Sequence, residues 1–359
     1  MAANSKIEWT DHTFNPWIGC TKVAAGCANC YAEQFAKRYG KAEWGMNGTR
    51  VKTSESYWRQ PLKWNREAAK AGKRARVFCA SLADVFENWS NIVRGSKGGY
   101  LHHADSWGIQ HGSKFVEHDT IAIGQSRVTL ADLRRDLFAL IDATPNLDWL
   151  LLTKRPENIR RMWPARDRHY DGPGWNSSTA NPNYRPNVWL GTSISNQEDA
   201  DRNIPELLKC RDLSPVSFLS CEPLVGPVNL RRVYVGSQQQ MNINADEKID
   251  WVIAGGESGR GARPMHPDWA RGLRDQCAAA GVPFYFKQWG EWGPGLRGTQ
   301  RNPAWVMYPD GRMVGDELTT DDARNLRLQQ NGAEWVTRVG KAAAGRLLDG
   351  RERNEFPNV

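Results

Sequence analysis

Short stretches that are apolar at every position recur along the chain, each followed by polar or glycine-containing text and then, in most cases, by a helical pattern. The runs at Val77–Ala80, Trp149–Thr153, Val188–Gly191, Val216–Ser220, Trp251–Ala254 and Phe284–Phe286 predict strands buried on both faces. Helices are predicted between them. Thr129-Leu-Ala-Asp132 caps one that carries Leu133, Leu137, Leu140 and Ile141. Ser195-Asn-Gln-Glu198 reads as a capping box ahead of Ile204, Leu207 and Leu208. Pro156 suits the first turn of another helix. Trp269, Leu273 and Cys277 share one face of a further helix, which Gly281 ends. A helix also begins at Tyr31.

Continuously apolar strands alternating with helices predict the α/β class, with a parallel sheet covered on both faces. Units of this kind build either a β/α barrel or an open doubly wound sheet. The chain has no Gly-x-Gly-x-x-Gly after its first strand and no Walker A sequence. The expectation is therefore a partial β/α barrel of about six to seven strands over residues 1–292. Residues 90–127 break the rhythm and read as an insertion after the second strand. Residues 293–359 read as a C-terminal extension, with a hairpin turning on Pro309-Asp-Gly311 and a terminal helix over 340–350.

Composition narrows the classes. No apolar run approaches the roughly 18 residues that would span a bilayer, so no membrane partner is expected. The opening "MAANSKIEWTDH" has no apolar core of a signal peptide, which predicts a cytoplasmic protein. Cys79, Cys210, Cys221 and Cys277 are isolated along the chain, as reduced thiols are rather than a disulfide framework. A formal charge of +8 and 17 tryptophans, many in loop-like text, permit an anionic partner whose bases could stack. The tryptophans serve equally well as packing anchors.

In β/α barrels the chemistry sits where strands end. Those points carry Asp84 and Glu87, Lys154 and Arg155, Ser193, Ser195 and Asn196, Cys221 and Glu222, Gly255, Gly256 and Glu257, and Lys287 and Gln288. This ring of polar and glycine residues predicts an active site at that end of the barrel.

A second concentration of chemistry is "FNPWIGCTKVAAGCANCYAE", with Cys20, Cys27 and Cys30 inside eleven residues. A structural zinc site would need a fourth ligand from His12 or Cys79. A redox pair would use Cys27 and Cys30 and leave Cys20 idle. Three thiols can also hold a [4Fe–4S] cluster with one iron left open.

Together with "LLTKRPENI", "VWLGTSISNQ", "FLSCEPLVGPV" and "DWVIAGGESGRGARPMHPDWARGLRDQCAAAGVPFYFKQWG", this segment resembles the radical SAM superfamily, and more closely the phage-type three-cysteine-motif radical SAM proteins. The resemblance implies a partial barrel holding a [4Fe–4S] cluster on Cys20, Cys27 and Cys30, together with S-adenosylmethionine. It implies that Tyr31, Asp84, Lys154, Ser193, Ser195, Asn196, Glu222, Gly255, Gly256 and Glu257 bind that cofactor. Cys221, as a hydrogen-atom donor, and Lys287 become the catalytic candidates. Arg155, Arg260, Arg263, Trp289 and Trp292 become the substrate contacts. The chain departs from the superfamily in its first gap, six residues instead of three, and in lacking Gly-Gly-Glu after the second strand.

The expected function is a radical SAM enzyme acting on nucleic acid, single-stranded or with a flipped base, and served by an electron donor. Its rivals are a radical SAM enzyme for a peptide or metabolite, and a non-catalytic, zinc-containing nucleic-acid-binding protein.

Overall fold

A computed structural model describes residues 5, 7–97, 99, 127–165, 181–235, 239–241, 249–295, 304–315 and 331–358. Its main element is a seven-stranded sheet. The strands are His12–Thr13 (β1), Ala75–Cys79 (β2), Leu147–Thr153 (β3), Val188–Ser193 (β4), Val216–Cys221 (β5), Trp251–Gly255 (β6) and Phe284–Gln288 (β7). They lie in the order β1-β2-β3-β4-β5-β6-β7, and the registered pairs are parallel. Each new strand joins at the same edge. That order belongs to a partial β/α barrel, because a doubly wound sheet reverses direction at a switch point.

All six expected strands form; five run one or two residues further than the apolar runs alone implied, while β2 starts two residues earlier than expected and ends at Cys79, one short of Ala80. β1 was not anticipated. Two residues, pairing His12 with Val77 and Thr13 with Phe78, are too few to carry a pattern. Between strands lie Tyr31–Arg38 (α1), Gln60–Ala71 (α2), Leu130–Asp142 (α3), Gln197–Leu208 (α4) and Pro267–Ala280 (α5). Thr129 and Asp132 form the expected capping box of α3, and Gly281, at φ 65°, closes α5. At α4 the expectation slips by one residue. Asn196 is the cap, accepting from Asp199 N at 3.0 Å, while Asp199 Oδ2 accepts from Ser195 N at 3.1 Å.

By its contacts the chain divides into two compact units: Met1–Lys22, Ala32–Leu190 and Cys210–Pro215 in one, Val23–Tyr31, Gly191–Lys209 and Val216–Val359 in the other. In the first, Phe14 stacks on Tyr57 and meets Trp58 and Trp149 edge-on, and Trp9 packs on Phe78. In the second, Gly191 leaves room on β4 for the Phe218 ring, which would lie 2.3 Å from a Cβ there. Many of the tryptophans are thus core residues: Trp9, Trp17, Trp58, Trp64, Trp149, Trp251, Trp269 and Trp289 are all buried.

Within the C-terminal extension, Trp292–Pro294 (β8), Ala304–Met307 (β9), Met313–Val314 (β10) and Glu334–Arg338 (β11) form an antiparallel sheet in the order β8-β11-β9-β10. The β9–β10 pair is the expected hairpin on Pro309-Asp-Gly311. The terminal helix is shorter than expected, only Lys341–Ala344, because Gly340 and Gly345 flank it at φ 84° and 71°. Most of the insertion, 98 and 100–126, lies outside the described residues. Its ends meet, with Val93 N donating to Val128 O at 3.0 Å. No helix among the described residues is long and apolar enough to cross a membrane.

Candidate functional site

The sequence around Cys20 is fixed first by its backbone. Gly19, at φ 119°, passes so close to Thr49 that a Cβ would sit 2.3 Å from the carbonyl oxygen, which only glycine allows. Gly19 N donates to Leu82 O, and Gly45 N donates to Cys20 O at 2.9 Å. The half-buried Cys20 thiol then faces a guanidinium. Arg155 Nη1 lies 3.7 Å from Cys20 Sγ and 2.8 Å from Asp84 Oδ2, while Nη2 donates to Thr21 O at 2.7 Å. Behind it, Arg50 grips Glu87 with two hydrogen bonds of 2.7 and 2.8 Å, reaches Thr21 Oγ1 at 2.9 Å, and lies over the Trp89 ring. Burial, with the Glu87 and Asp84 carboxylates, pushes the Cys20 thiol up to about 12 against the opposing charge of Arg155.

This geometry reassigns two residues. Asp84, expected to hold a cofactor amine, already accepts from Phe86 N and Thr153 Oγ1 on one oxygen, and from Lys154 N and Arg155 Nη1 on the other. An ionised carboxylate has about four acceptor positions, so Asp84 is filled by the protein itself. Arg155, expected to meet substrate, is 7% exposed and is spent on Cys20, Thr21 and Asp84. Lys154 differs: among the described residues its ammonium makes no hydrogen bond or ion pair.

In the second unit, Cys27 closes the turn Ala25–Cys27, and Cys30 immediately precedes α1. Tyr31, the first residue of α1, is 56% exposed, so it is not a buried helix-start aromatic. Gly26 lies against the strand end at β4, where a Cβ would come within 2.2 Å of Ser195 Oγ. Ser195 is fully buried, and its hydroxyl has no partner among the described residues. Arg263 Nη2 donates to Ala25 O at 3.1 Å, and Asn29 Nδ2 donates to Gly261 O and to Glu257 Oε2. Glu257 is held in turn by Arg263, through N, Nε and Nη2 at 2.8 to 2.9 Å. Burial raises the Glu257 carboxyl, but the Arg263 and Asn29 donors and the Arg263 charge outweigh it and leave it below its ordinary value. Glu257 and Arg263, expected at cofactor and substrate, therefore clamp the cysteine loop. Ser193, also expected at the cofactor, is buried, and its carbonyl accepts from Asn203 Nδ2.

At the ends of β5 and β7, Lys287 Nζ donates to Glu222 Oε1 at 2.6 Å, with both side chains partly exposed. Gln288 Nε2 donates to Ser258 Oγ at 3.1 Å, and its own Oε1 is buried without a partner among the described residues. Gly255 adjoins Glu222 and Gln288, while Gly256 admits no side chain, since a Cβ would meet Trp289 O at 1.9 Å. Cys221 is fully buried on β5, and burial raises its thiol well above the ordinary range.

The substrate contacts fare unevenly. Trp289 is 4% exposed, lies edge-on to Phe286 and donates Nε1 to Leu347 O, so it offers no face to a base. Trp292 is half-buried with Nε1 on Ala262 O. Arg260 is exposed, and no ion pair holds it among the described residues.

Arg50, Gly26 and Asn29 were not anticipated, whereas Gln288 stands in the expected ring of strand-end polar residues. Gly26 directly precedes Cys27 and Asn29 directly precedes Cys30, which is the only signal the sequence carried for them. Cys20, Cys27 and Cys30 are all free thiols and half-buried. Among the described residues, no group of three or more His, Cys, Asp and Glu side chains is arranged to hold a metal ion.

The chain belongs to a family described as a protein of unknown function, DUF5131, which it matches over residues 4–93 and 125–357. No curated protein and no solved structure matches it.

Proposed function

We propose that this DUF5131 protein is a radical SAM enzyme, with Cys20, Cys27 and Cys30 as ligands of a [4Fe–4S] cluster and S-adenosylmethionine at the strand ends. The observation that carries the reading is the way the loop is held. Four of the groups expected to bind ligands, Arg155, Asp84, Glu257 and Arg263, are instead devoted to fixing the residues around three free half-buried thiols. Inert thiols need no such support. The donor set suits the cluster, since thiolates are the ligands iron–sulfur centres take, and three of them leave one iron for an exogenous group. When bound, the two cofactors together supply a carbon-centred radical that abstracts hydrogen from a substrate.

The chain's own residues position and contain that chemistry. Lys287 shields one oxygen of Glu222, and the other oxygen suits a ligand ammonium; Lys154, whose ammonium has no partner among the described residues, suits a carboxylate. Cys221 keeps its hydrogen because burial disfavours the thiolate, and a hydrogen-atom donor has to hold an S–H. Nucleic acid remains the substrate class of the proposal, supported by the charge of +8 and by the exposed Arg260, two residues before Ala262, whose carbonyl accepts from the half-buried Trp292. An electron donor completes the set of partners.

The test is anaerobic reconstitution followed by addition of S-adenosylmethionine and a reductant. About four irons per chain and release of 5′-deoxyadenosine are expected, with loss of the cluster in Cys20→Ala, Cys27→Ala and Cys30→Ala but not in Cys210→Ala. Stoichiometric zinc without iron–sulfur absorbance would overturn the proposal in favour of a structural metal. For the substrate, binding of a mixed-sequence single strand should weaken steeply with salt, and further in Arg260→Gln. Salt-insensitive or absent binding would transfer the proposal to a peptide or metabolite.

A further inference from the structure

Most of the buried charge around Cys20 converges on one side chain. Arg155 reaches three different acceptors, the sulfur of Cys20, the carbonyl of Thr21 and the carboxylate of Asp84. Its own orientation is fixed from two directions. Thr153 Oγ1 accepts from Arg155 N at 2.9 Å while donating to Asp84 Oδ1 at 2.7 Å, which ties backbone, hydroxyl and carboxylate into one unit. Glu87, already gripped by Arg50, approaches Arg155 Nη2 at 3.5 Å and adds a second negative charge behind it. A planar guanidinium can serve sulfur, carbonyl and carboxylate at once, whereas a lysine ammonium brings one point charge on a flexible stem. Because Arg155 is 7% exposed, its charge is directed at these neighbours rather than at solvent or at a ligand in solution.

We propose that Arg155 is a positioning residue that holds Cys20 Sγ and, granted the cluster reading above, makes the cluster easier to reduce. Reduction adds one electron, taken from a low-potential donor such as dithionite, and so adds negative charge to the cluster and its ligand sulfurs. A donor N–H carrying a full positive charge near one of those sulfurs favours the electron-rich state, because hydrogen bonds to the sulfurs and local net charge set the potentials of such clusters. Asp84 and Glu87 oppose that charge. They also keep the guanidinium aimed, so the net effect depends on the hydrogen bond staying formed.

The experiment compares full-length wild type, Arg155→Gln, Arg155→Lys and Arg263→Gln after anaerobic reconstitution. Iron and sulfide content are measured beside a potentiometric titration followed by electron paramagnetic resonance. At the potential where the wild-type cluster is half reduced, the ratio of reduced to oxidised cluster should fall about tenfold in Arg155→Gln, in line with loss of one charged hydrogen bond. Arg155→Lys should recover part of that loss. Arg263→Gln, which loosens the loop at Ala25 O without touching Cys20, should lower iron content and leave the midpoint in place. An unmoved midpoint in Arg155→Gln overturns the inference, and so does an equal shift in Arg263→Gln, which would mark both as mere loop supports. If Arg155→Gln takes up no iron, a wild-type midpoint in Arg155→Lys overturns it instead. Wild type that takes up no iron sinks the cluster reading itself, a result distinct from all of these.

Discussion

Cys20 and the Cys27–Cys30 pair share one loop in sequence, yet they are held by unlike means. Around Cys20 the charges are deeply buried, with side-chain exposures of 0% for Arg50, 1% for Glu87, 7% for Asp84 and 8% for Arg155. Around Cys27 the clamp is a single pair, in which Arg263 keeps a third of its side chain in solvent and only Glu257 is buried. The Cys27 clamp also acts on the backbone at Ala25 O and through Asn29, and among the described residues no cation meets a sulfur there. The first arrangement acts on a thiol, and the second shapes a loop.

The largest expected effect comes from breaking the buried side of this comparison. Arg50→Met leaves Glu87 with one long contact, to Arg155, and an uncompensated buried carboxylate. Removing one member of a buried pair costs about 3–5 kcal/mol, so the urea midpoint should fall accordingly. Arg263→Met should cost less, about 1–3 kcal/mol, because water already reaches that guanidinium and Asn29 still donates to Glu257. Equal losses in the two variants would show that burial does not separate the clamps.

The contact between Gly26 and Ser195 allows a sharper cut. Gly26→Ala puts a methyl 2.2 Å from a buried hydroxyl, and overpacking of this kind costs about 1–3 kcal/mol. Ser195→Ala removes that oxygen together with its unmet hydrogen bond, so the double variant should regain most of the loss. A loss that persists in the double variant would assign the glycine's role to backbone freedom instead of close approach.

A third effect separates the thiol from the loop. With its ionisation raised to about 12, Cys20 of the folded, metal-free protein stays a thiol at pH 8, whereas the same residue in the unfolded chain ionises near the ordinary 9. Alkylation by iodoacetamide, mapped by mass spectrometry, should be slower by at least about tenfold in the folded state, since the thiolate is the nucleophile. Equal rates would mean that the carboxylates and burial around Cys20 do not govern it.

These contrasts also mark how far the sequence could be read. Six of the seven sheet strands are legible because each is apolar throughout, and the caps of α3 and α5 because Thr129, Asp132 and Gly281 sit at the required offsets. β1 is not legible at two residues. The strand-end positions of the polar residues follow from the strands, but their roles do not. Whether Asp84 meets a ligand or a guanidinium depends on Arg155 turning back, and whether Trp289 faces a base or a core depends on Phe286 and Leu347. Such pairings join residues as much as 71 positions apart and leave no local periodicity. The shift of the α4 cap from Ser195 to Asn196 is smaller but of the same kind. Asp199 at the third helical position selects its partner by geometry that a list of capping residues does not contain.

The smallest expected effect concerns acid. Glu257 ionises below its ordinary 4.5 in the folded protein because Arg263 and Asn29 outweigh its burial. A carboxyl depressed by folding contributes stability that is fully present above its unfolded value and is lost as the pH falls through its folded value. The stability difference between wild type and Glu257→Gln should therefore hold steady from pH 7 down to about 5 and then narrow. Urea midpoints measured at half-unit intervals would show this. Arg263→Met should shrink the same acid-dependent difference, because its donors are the chief cause of the depression once burial is set against them. A gap that stays constant into the acid range would mean that Glu257 is not held in its charged form by the clamp. The Cys27 side of the loop would then owe its place to Asn29 and to the Gly26–Ser195 contact rather than to charge.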